Sequence, residues 1–356
     1  MRITVYELNR VADAPGGGTS ANHRGSGIHQ STLSWEDKMK HLIRNTALAT
    51  TLLFGAGVAQ ADWPTDRPIE FIVAFAPGGG TDVMNRTLAP FVEKELGAKI
   101  TILNRPGASG EIAYTAMTQA RPDGYTVSSL NTPGYLTMQM DRKVRFDPKK
   151  LCVVARIVED PGSFIVQANS KFNTLKDLVA YAKENPGAVT VGTTGLGTDE
   201  HLAMLQLEKS AGIDLTAVTF NGANEARTAL LGGHVDTIGI NVGEFVGSDH
   251  SAFKNLGQFA EERASIAPDL PTAKEQGFEV LMSSERGIAM GCDVPEEIRT
   301  KFSAAVKKAL DNPEFQAKAK QMSLALSYRS SEEWNKELPV RAERLGAIWK
   351  LAKEQK

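Results

Sequence analysis

Residues 69–82 read IEFIVAFAPGGGTD, and this stretch decides the fold. Ile69 to Phe75 is an apolar run of strand length. Pro77-Gly78-Gly79-Gly80 then turns the chain, after which Met84, Leu88, Phe91, Val92 and Leu96 recur at helical spacing as far as Gly97, a residue suited to a left-handed C-cap. Strand, glycine-rich turn and helix in that order open a βαβ unit, which needs a parallel sheet covered by helices.

Outward from this unit the alternation continues. Lys99 to Leu103 and Tyr125 to Leu130 read as strands, separated by a short helix over Gly110 to Ala120 that Pro122-Asp123-Gly124 stops. A second set follows, with strands at Ser163 to Val166, Val189 to Gly192, Leu215 to Phe220 and Val235 to Ile240. Helices lie between them at Leu175 to Lys183, Asp199 to Ala211 and Glu225 to Leu231. Near the end, Ile298, Phe302, Ala305, Val306 and Ala309 mark an amphipathic helix behind Pro295, and another runs from Ser331. Two α/β sets in 356 residues imply two lobes flanking a cleft, each a mostly parallel sheet flanked by helices. Ligands of such sheets sit beyond the carboxyl ends of the strands.

Four strand-end loops are therefore the candidates. Phe75-Ala76-Pro77-Gly78-Gly79-Gly80-Thr81-Asp82 leaves amides unshielded at a helix start, where the free N–H groups and the dipole favour an anion. The same residues also suit a tight turn capped by Thr81 or Asp82. Gly192-Thr193-Thr194-Gly195-Leu196-Gly197-Thr198-Asp199 has Thr198 where a P-loop needs Lys, and Glu200 where a dinucleotide fingerprint needs Gly. An amide and hydroxyl cradle for a carboxylate survives both exclusions. Phe220-Asn221-Gly222-Ala223-Asn224-Glu225 and Asn131-Thr132-Pro133-Gly134-Tyr135 suit polar or planar groups, and plain turns equally well.

Other classes find little support. A net charge of −2 leaves no basic footprint for nucleic acid. Gly107-Ala108-Ser109-Gly110-Glu111 lacks the last glycine of a nucleophile elbow, and the six His residues show no metal-ligand spacing. No catalytic residue, metal or cofactor is expected, and a secreted hydrolase is disfavoured. Cys152 and Cys292 stand 140 positions apart in an otherwise cysteine-free chain, and two separate buried thiols are expected.

The N-terminal region carries an export signal. Lys38, Lys40, His41 and Arg44 form a basic flank around Met39, an apolar stretch runs from Ala47 to Val58, and Ala59-Gln60-Ala61 is an A-x-A cleavage site. The apolar run is shorter than the about 20 residues of a membrane span. Residues 39–61 are read as a signal peptide, and residues 1–38 as a disordered extension that arises from a misplaced start codon. An unusually long n-region is the alternative. Periplasmic location follows.

The run from Ile72 to Val127, with GTTGLGTDEHLA (192–203), FNGANEARTALLGGHVD (220–236) and APDLPTAKEQGFEV (267–280), resembles the substrate-binding proteins of tripartite tricarboxylate transporters, the Bug family. The resemblance covers essentially all of the chain beyond Asp62. It implies a type II periplasmic binding-protein fold, with one lobe from 62–165 plus 285–356 and the other from 166–284. It implies ligand contacts from Phe75, Pro77, Gly78, Gly79, Gly80 and Asp82 on one side. On the other it implies Thr193, Thr194, Gly195, Thr198, Phe220, Asn221 and Gly222. It implies a monomeric receptor that captures a small carboxylate for two integral membrane subunits. A receptor that presents its bound state to a sensor or enzyme without transport is the alternative. Arg286 suits either a ligand carboxylate or a salt bridge, and is left out of the core site.

N-terminal sequencing of the exported protein should find Asp62 as the first residue. A soluble exported species that retains residues 1–61 would contradict the export reading.

Overall fold

The computed structural model describes residues 63–354; the extension and signal-peptide readings of residues 1–61 lie outside the described residues. The first elements are β1 (Ile69–Val73), α1 (Gly80–Leu96), β2 (Ile100–Asn104), α2 (Glu111–Thr118), β3 (Thr126–Thr132) and α3 (Gly134–Asp141). β1 lies between β2 and β3 and is parallel to both. Met84, Leu88, Val92 and Leu96 of α1 are buried on one face, as their four-residue spacing requires, and the helix ends at Gly97 with φ 67°.

Next comes β4 (Leu151–Gln167), a strand of 17 residues. It is followed by α4 (Leu175–Glu184), β5 (Thr190–Thr193), α5 (Asp199–Ala211), β6 (Thr216–Thr219), α6 (Ala223–Leu231) and β7 (Thr237–Asn241). β5 repeats the arrangement of β1, lying between β6 and β7 and parallel to both. The chain closes with α7 (Val242–Val246), β8 (Phe253–Gln258), β9 (Ser283–Gly291), α8 (Glu296–Asp311), α9 (Pro313–Gln321), β10 (Leu326–Ser330) and α10 (Ser331–Glu354).

The main strand order is β2-β1-β3-β9-β4-β7-β5-β6. Each flank is thus a parallel α/β set, and every antiparallel pair involves β4 or β9. β4 changes partners along its length. Leu151 to Pro161 pairs with β9, while Gly162 to Gln167 pairs with β7 and β8. One cluster packs α1, α8 and α9 beneath the first set, with Met84, Phe302 and Phe315 fully buried. Another packs Ala226 and Leu230 of α6 on Ile165, Ile238 and Ile240. α10 lies against α3, β4 and α5, so one helix touches both sets.

The first twelve residues of β4, Leu151 to Gly162, escape sequence reading. Arg156, Glu159, Asp160 and Pro161 break an apolar pattern, yet Arg156 is only 2% exposed and pairs with Glu285 at 2.5 Å. A buried charge is tolerable when paired in this way.

The expectation of separate thiols is corrected. Cys152 and Cys292 form a disulfide, with Cα atoms 5.0 Å apart. Cys152 lies opposite Met290 in the β4–β9 ladder, and the Cys292 amide donates to Lys150 O at 2.9 Å. Long-range strand pairing, which spacing does not encode, brings the two together. A Cys152→Ser/Cys292→Ser double variant should lose about 2–4 kcal/mol of stability in urea unfolding. Equal stability of the variant and the oxidised protein would mean that the crosslink contributes nothing.

Candidate functional site

Four loops meet where the parallel strands end. They follow β1, β3, β5 and β6, and each leads into a helix. The N-caps of these helices are Gly79 for α1, Pro133 for α3, Thr198 for α5 and Gly222 for α6. None makes a side-chain cap hydrogen bond. The chain does cap helices elsewhere: Thr174 and Asp177 form a full capping box on α4, and Asn312 caps α9. Four uncapped helix starts around one cavity concentrate amide hydrogens and positive dipole ends at a single place.

Three of these loops are shaped by the same device. A side chain from the first helical turn accepts the amide four residues earlier. Gly78 N donates to Asp82 Oδ2 at 2.9 Å, Gly197 N to His201 Nδ1 at 3.2 Å and Asn221 N to Glu225 Oε2 at 3.1 Å.

The two sides of the cleft are in contact. Ala76 N donates to Asn221 O at 3.2 Å, and Asn224 Nδ2 to Pro77 O at 3.0 Å. Ser109 Oγ donates to Leu196 O at 2.9 Å, and Thr137 Oγ1 to Gly197 O at 2.6 Å. Gly195, at φ 140°, lies so close to Ser109 that any side chain there would collide with it. Between the loops remains a small cavity of about 40 Å³, where about 10–15 Å³ suffices for one water. A cavity of about 350 Å³ lies elsewhere, beside Glu159, Arg341 and Arg344, but the four helix starts do not converge on it.

Of the residues expected at the site, Phe75, Gly79, Gly80, Thr194, Thr198 and Gly222 line the central cavity. Phe220, Asn221 and Gly195 line an adjoining outer pocket of about 320 Å³, together with Phe75. Pro77 and Gly78 face Asn224 across the cleft. Thr193 is fully buried beneath its loop. Asp82 is 3% exposed and accepts hydrogen bonds from Gly78, Arg86 and Asn104. Burial raises its pKa, but the hydrogen bonds from Arg86, Gly78 and Asn104 outweigh that and hold it below the ordinary value. Gly79 is extended, at φ −78°, and an added Cβ would meet nothing nearer than Ala76 O at 3.8 Å. At Gly80 the same atom would lie 2.5 Å from Arg286 Nη1.

The structure adds a polar cluster of which sequence reading weighed only Arg286. Asp199, Glu200, Asn241, Glu244, Ser284 and Arg286 also line the cavity. Arg286 is 3% exposed and forms ion pairs with Asp160 at 3.4 Å and Glu244 at 3.6 Å, so it serves the salt-bridge role. Burial pushes Asp160 up to about 6 against the pull of Arg286. Burial, and then the charge of Asp199, push Glu200 up to about 8. Two adjacent acids just past a glycine-rich loop were the available signal; they read simply as a favourable first helical turn.

Stability should therefore fall as pH rises. The folded chain keeps protons on Glu200 and Asp160 that the unfolded chain has already released, so their contribution is present near pH 4 and is lost through about 6 and about 8. Urea midpoints between pH 5 and 9 should decline, and Glu200→Gln should flatten the upper part of that decline. A midpoint that rises over this range would refute the assignment.

Residues 84–352 match the family model described as tripartite tricarboxylate transporter family receptor. A Cupriavidus necator protein, the UPF0065 protein in the gbd 5' region, is 31% identical over 277 residues, which is 78% of this chain and 84% of that protein. Among solved structures, MatC from Rhodopseudomonas palustris with bound malate superposes with a TM-score of 0.74 at 26% identity, covering 80% of this chain and 99% of MatC. The periplasmic binding protein BugD gives a TM-score of 0.74 at 24% identity, covering 81% of this chain and 98% of BugD, and so shares the fold.

Proposed function

The chain belongs to the tripartite tricarboxylate transporter receptor family, and from that premise we propose that it captures a small carboxylate between two lobes and delivers it to a membrane transporter. The observation that carries this reading is the convergence of four uncapped helix starts on one cavity. Such a place holds an anion through backbone amides, and needs no free cationic side chain. MatC, which shares the architecture, holds malate.

We take the lobes as 62–165 with 285–356, and 166–284, with β4 passing between them. A cavity of about 40 Å³ cannot admit a dicarboxylate, so the lobes part to load and close to hold. The contacts from Ala76, Asn224, Ser109 and Thr137 belong to the closed form. The ligand set we assign is the expected one, with the loop amides as principal donors and Asp82 as the residue that shapes the first loop. Binding rather than turnover is the activity. Residues 39–61 direct export to the periplasm, where the protein acts as a monomer with two integral membrane subunits as its partners. Among the described residues no helix is long and apolar enough to cross a membrane.

A thermal-shift screen against small carboxylates tests the reading, since a ligand at 100 times its Kd adds about 2.7 kcal/mol. The radius of gyration measured by small-angle scattering should shrink on addition of the hit. Gly80→Ala should weaken binding about tenfold or more, while Gly79→Ala should bind nearly as the parent does. Unchanged binding by Gly80→Ala would remove the first loop from the site.

A further inference from the structure

The cavity of about 350 Å³ beside Arg341 and Arg344 falls within the about 300–1,000 Å³ of ordinary small-molecule pockets. It lies behind the cavity formed by the helix starts, and the crossing strands are the wall between them. In the β4–β9 ladder Asp160 lies opposite Ser284, and Pro161 opposite Ser283. Successive residues of a strand point to opposite faces. Ser284 accordingly lines the cavity at the helix starts, on the side where Asp160 pairs with Arg286. Glu159, Pro161 and Ser283 line the pocket behind. Phe259, Ala260 and Leu281 come to it from the lobe taken as 166–284, and Arg341, Arg344 and Leu345 of α10 from the other.

One charge in this pocket is left over. Of its two acids, Glu159 is paired with Arg156 at 3.2 Å and Glu261 with Lys274. Arg341 is held by Glu285 at 3.2 Å and donates to Ser283 O at 2.7 Å. Arg344 forms no ion pair among the described residues, and its guanidinium donates to the Leu281 carbonyl at 3.1 Å. Phe259, Leu281, Met282 and Leu345 give the same pocket an apolar lining. An unpaired guanidinium with apolar walls suits an anion that carries an apolar body. We propose that this hinge pocket is a second binding site, for a small monocarboxylate with an aliphatic or aromatic body, and that its occupancy is linked to closure of the cleft.

The linkage follows from the shared wall and rests on the receptor reading above. When two lobes close over the front face of the strands that join them, the groups packed on the back face move apart. The pocket is then widest in the closed form, and a molecule that fills it opposes reopening. The coupling is reciprocal, so the cleft ligand favours the hinge ligand by the same factor. The pocket is also tied to the point where β4 changes partners. Phe259 N donates to Gly162 O at 2.8 Å, and a Cβ added at Gly162 would lie 3.1 Å from the Phe259 ring. Gly162 is the residue at which pairing with β7 begins.

Calorimetry on the full exported protein tests the pocket, with hexanoate and benzoate as probes and hexan-1-ol as the uncharged comparison. The cleft is first saturated with the carboxylate found in the thermal-shift screen, which keeps the probes out of it. At least one probe should bind, and hexan-1-ol should bind about tenfold more weakly or worse than hexanoate. Arg344→Gln should weaken the probe about tenfold. Ala260→Trp, which fills the pocket, should abolish probe binding while the cleft ligand alone binds as in the parent. A saturating probe should raise affinity for the cleft ligand about fivefold or more over its effect in these variants. Absence of probe binding, or binding that Arg344→Gln leaves unchanged, overturns the site. Equal binding of hexan-1-ol and hexanoate overturns the anion, and cleft affinity that the probe leaves unchanged or lowers overturns the linkage. Should Ala260→Trp not fold, Arg344→Gln alone decides. If the screen yields no carboxylate the receptor reading falls, and the same probes added to the unliganded protein and its Arg344→Gln variant still decide the site.

Discussion

Strand β4 has to serve two sheets at once, and most of the structure follows from that requirement. Its first part is laddered to β9 and its last part to β7 and β8. The charged residues that spoil its apolar pattern sit near this change of partner. Arg156 is held by Glu285, Glu159 and Glu337 and donates to the Ser327 carbonyl and hydroxyl oxygens. Glu285 in turn accepts from Thr132 Oγ1 at 2.6 Å and from Trp334 Nε1 at 3.3 Å. The end of β3, the crossing strands and α10 therefore share one buried carboxylate. Removing a member would leave a buried charge uncompensated, at about 3–5 kcal/mol.

The parts of the fold with strong period were legible. Asp199 to Ala211 is a helix with the bounds its sequence suggests, and Ser331 begins the last helix. α3, α7, α9, β8, β9 and β10 were not seen; Gly134–Asp141 is buried through its first turn, Val242–Val246 has only 5 residues, Phe253–Gln258 mixes lysine, asparagine and glycine with its apolar residues, and Ser283–Gly291 opens on Ser-Ser-Glu-Arg. At the site, the glycine-rich loops pointed to the cavity, because glycine there signals backbone at close quarters. The acidic cluster was not legible. Asp199 and Glu200 suit an ordinary first turn, and only the third dimension places Glu244, Ser284 and Asn131 beside them. The disulfide was hidden for the same reason, since registration between β4 and β9 decides it.

The cleft balances opposing electrostatic elements around one cavity. Helix starts supply partial positive charge without a titratable group, and they cannot be neutralised by pH. The acids beside them, Asp160 and Glu200 among them, can. Arg286 ties the two systems together, since its guanidinium neighbours Asp160, Glu244 and Asn241 and also occupies the space beside Gly80. A side chain at Gly80 would therefore disturb both at once.

The loop amides held by Asp82, His201 and Glu225 have a consequence for how such a protein can diversify. Contacts made by backbone survive most changes of sequence, provided the residues that fold the loop are kept. The part of the cleft that grips a carboxylate is in this sense independent of side-chain identity. Novelty in what is gripped must then arise among the side chains that line the rest of the cavity. A lineage of receptors built this way can change its cargo by small steps, each one a folded and working protein.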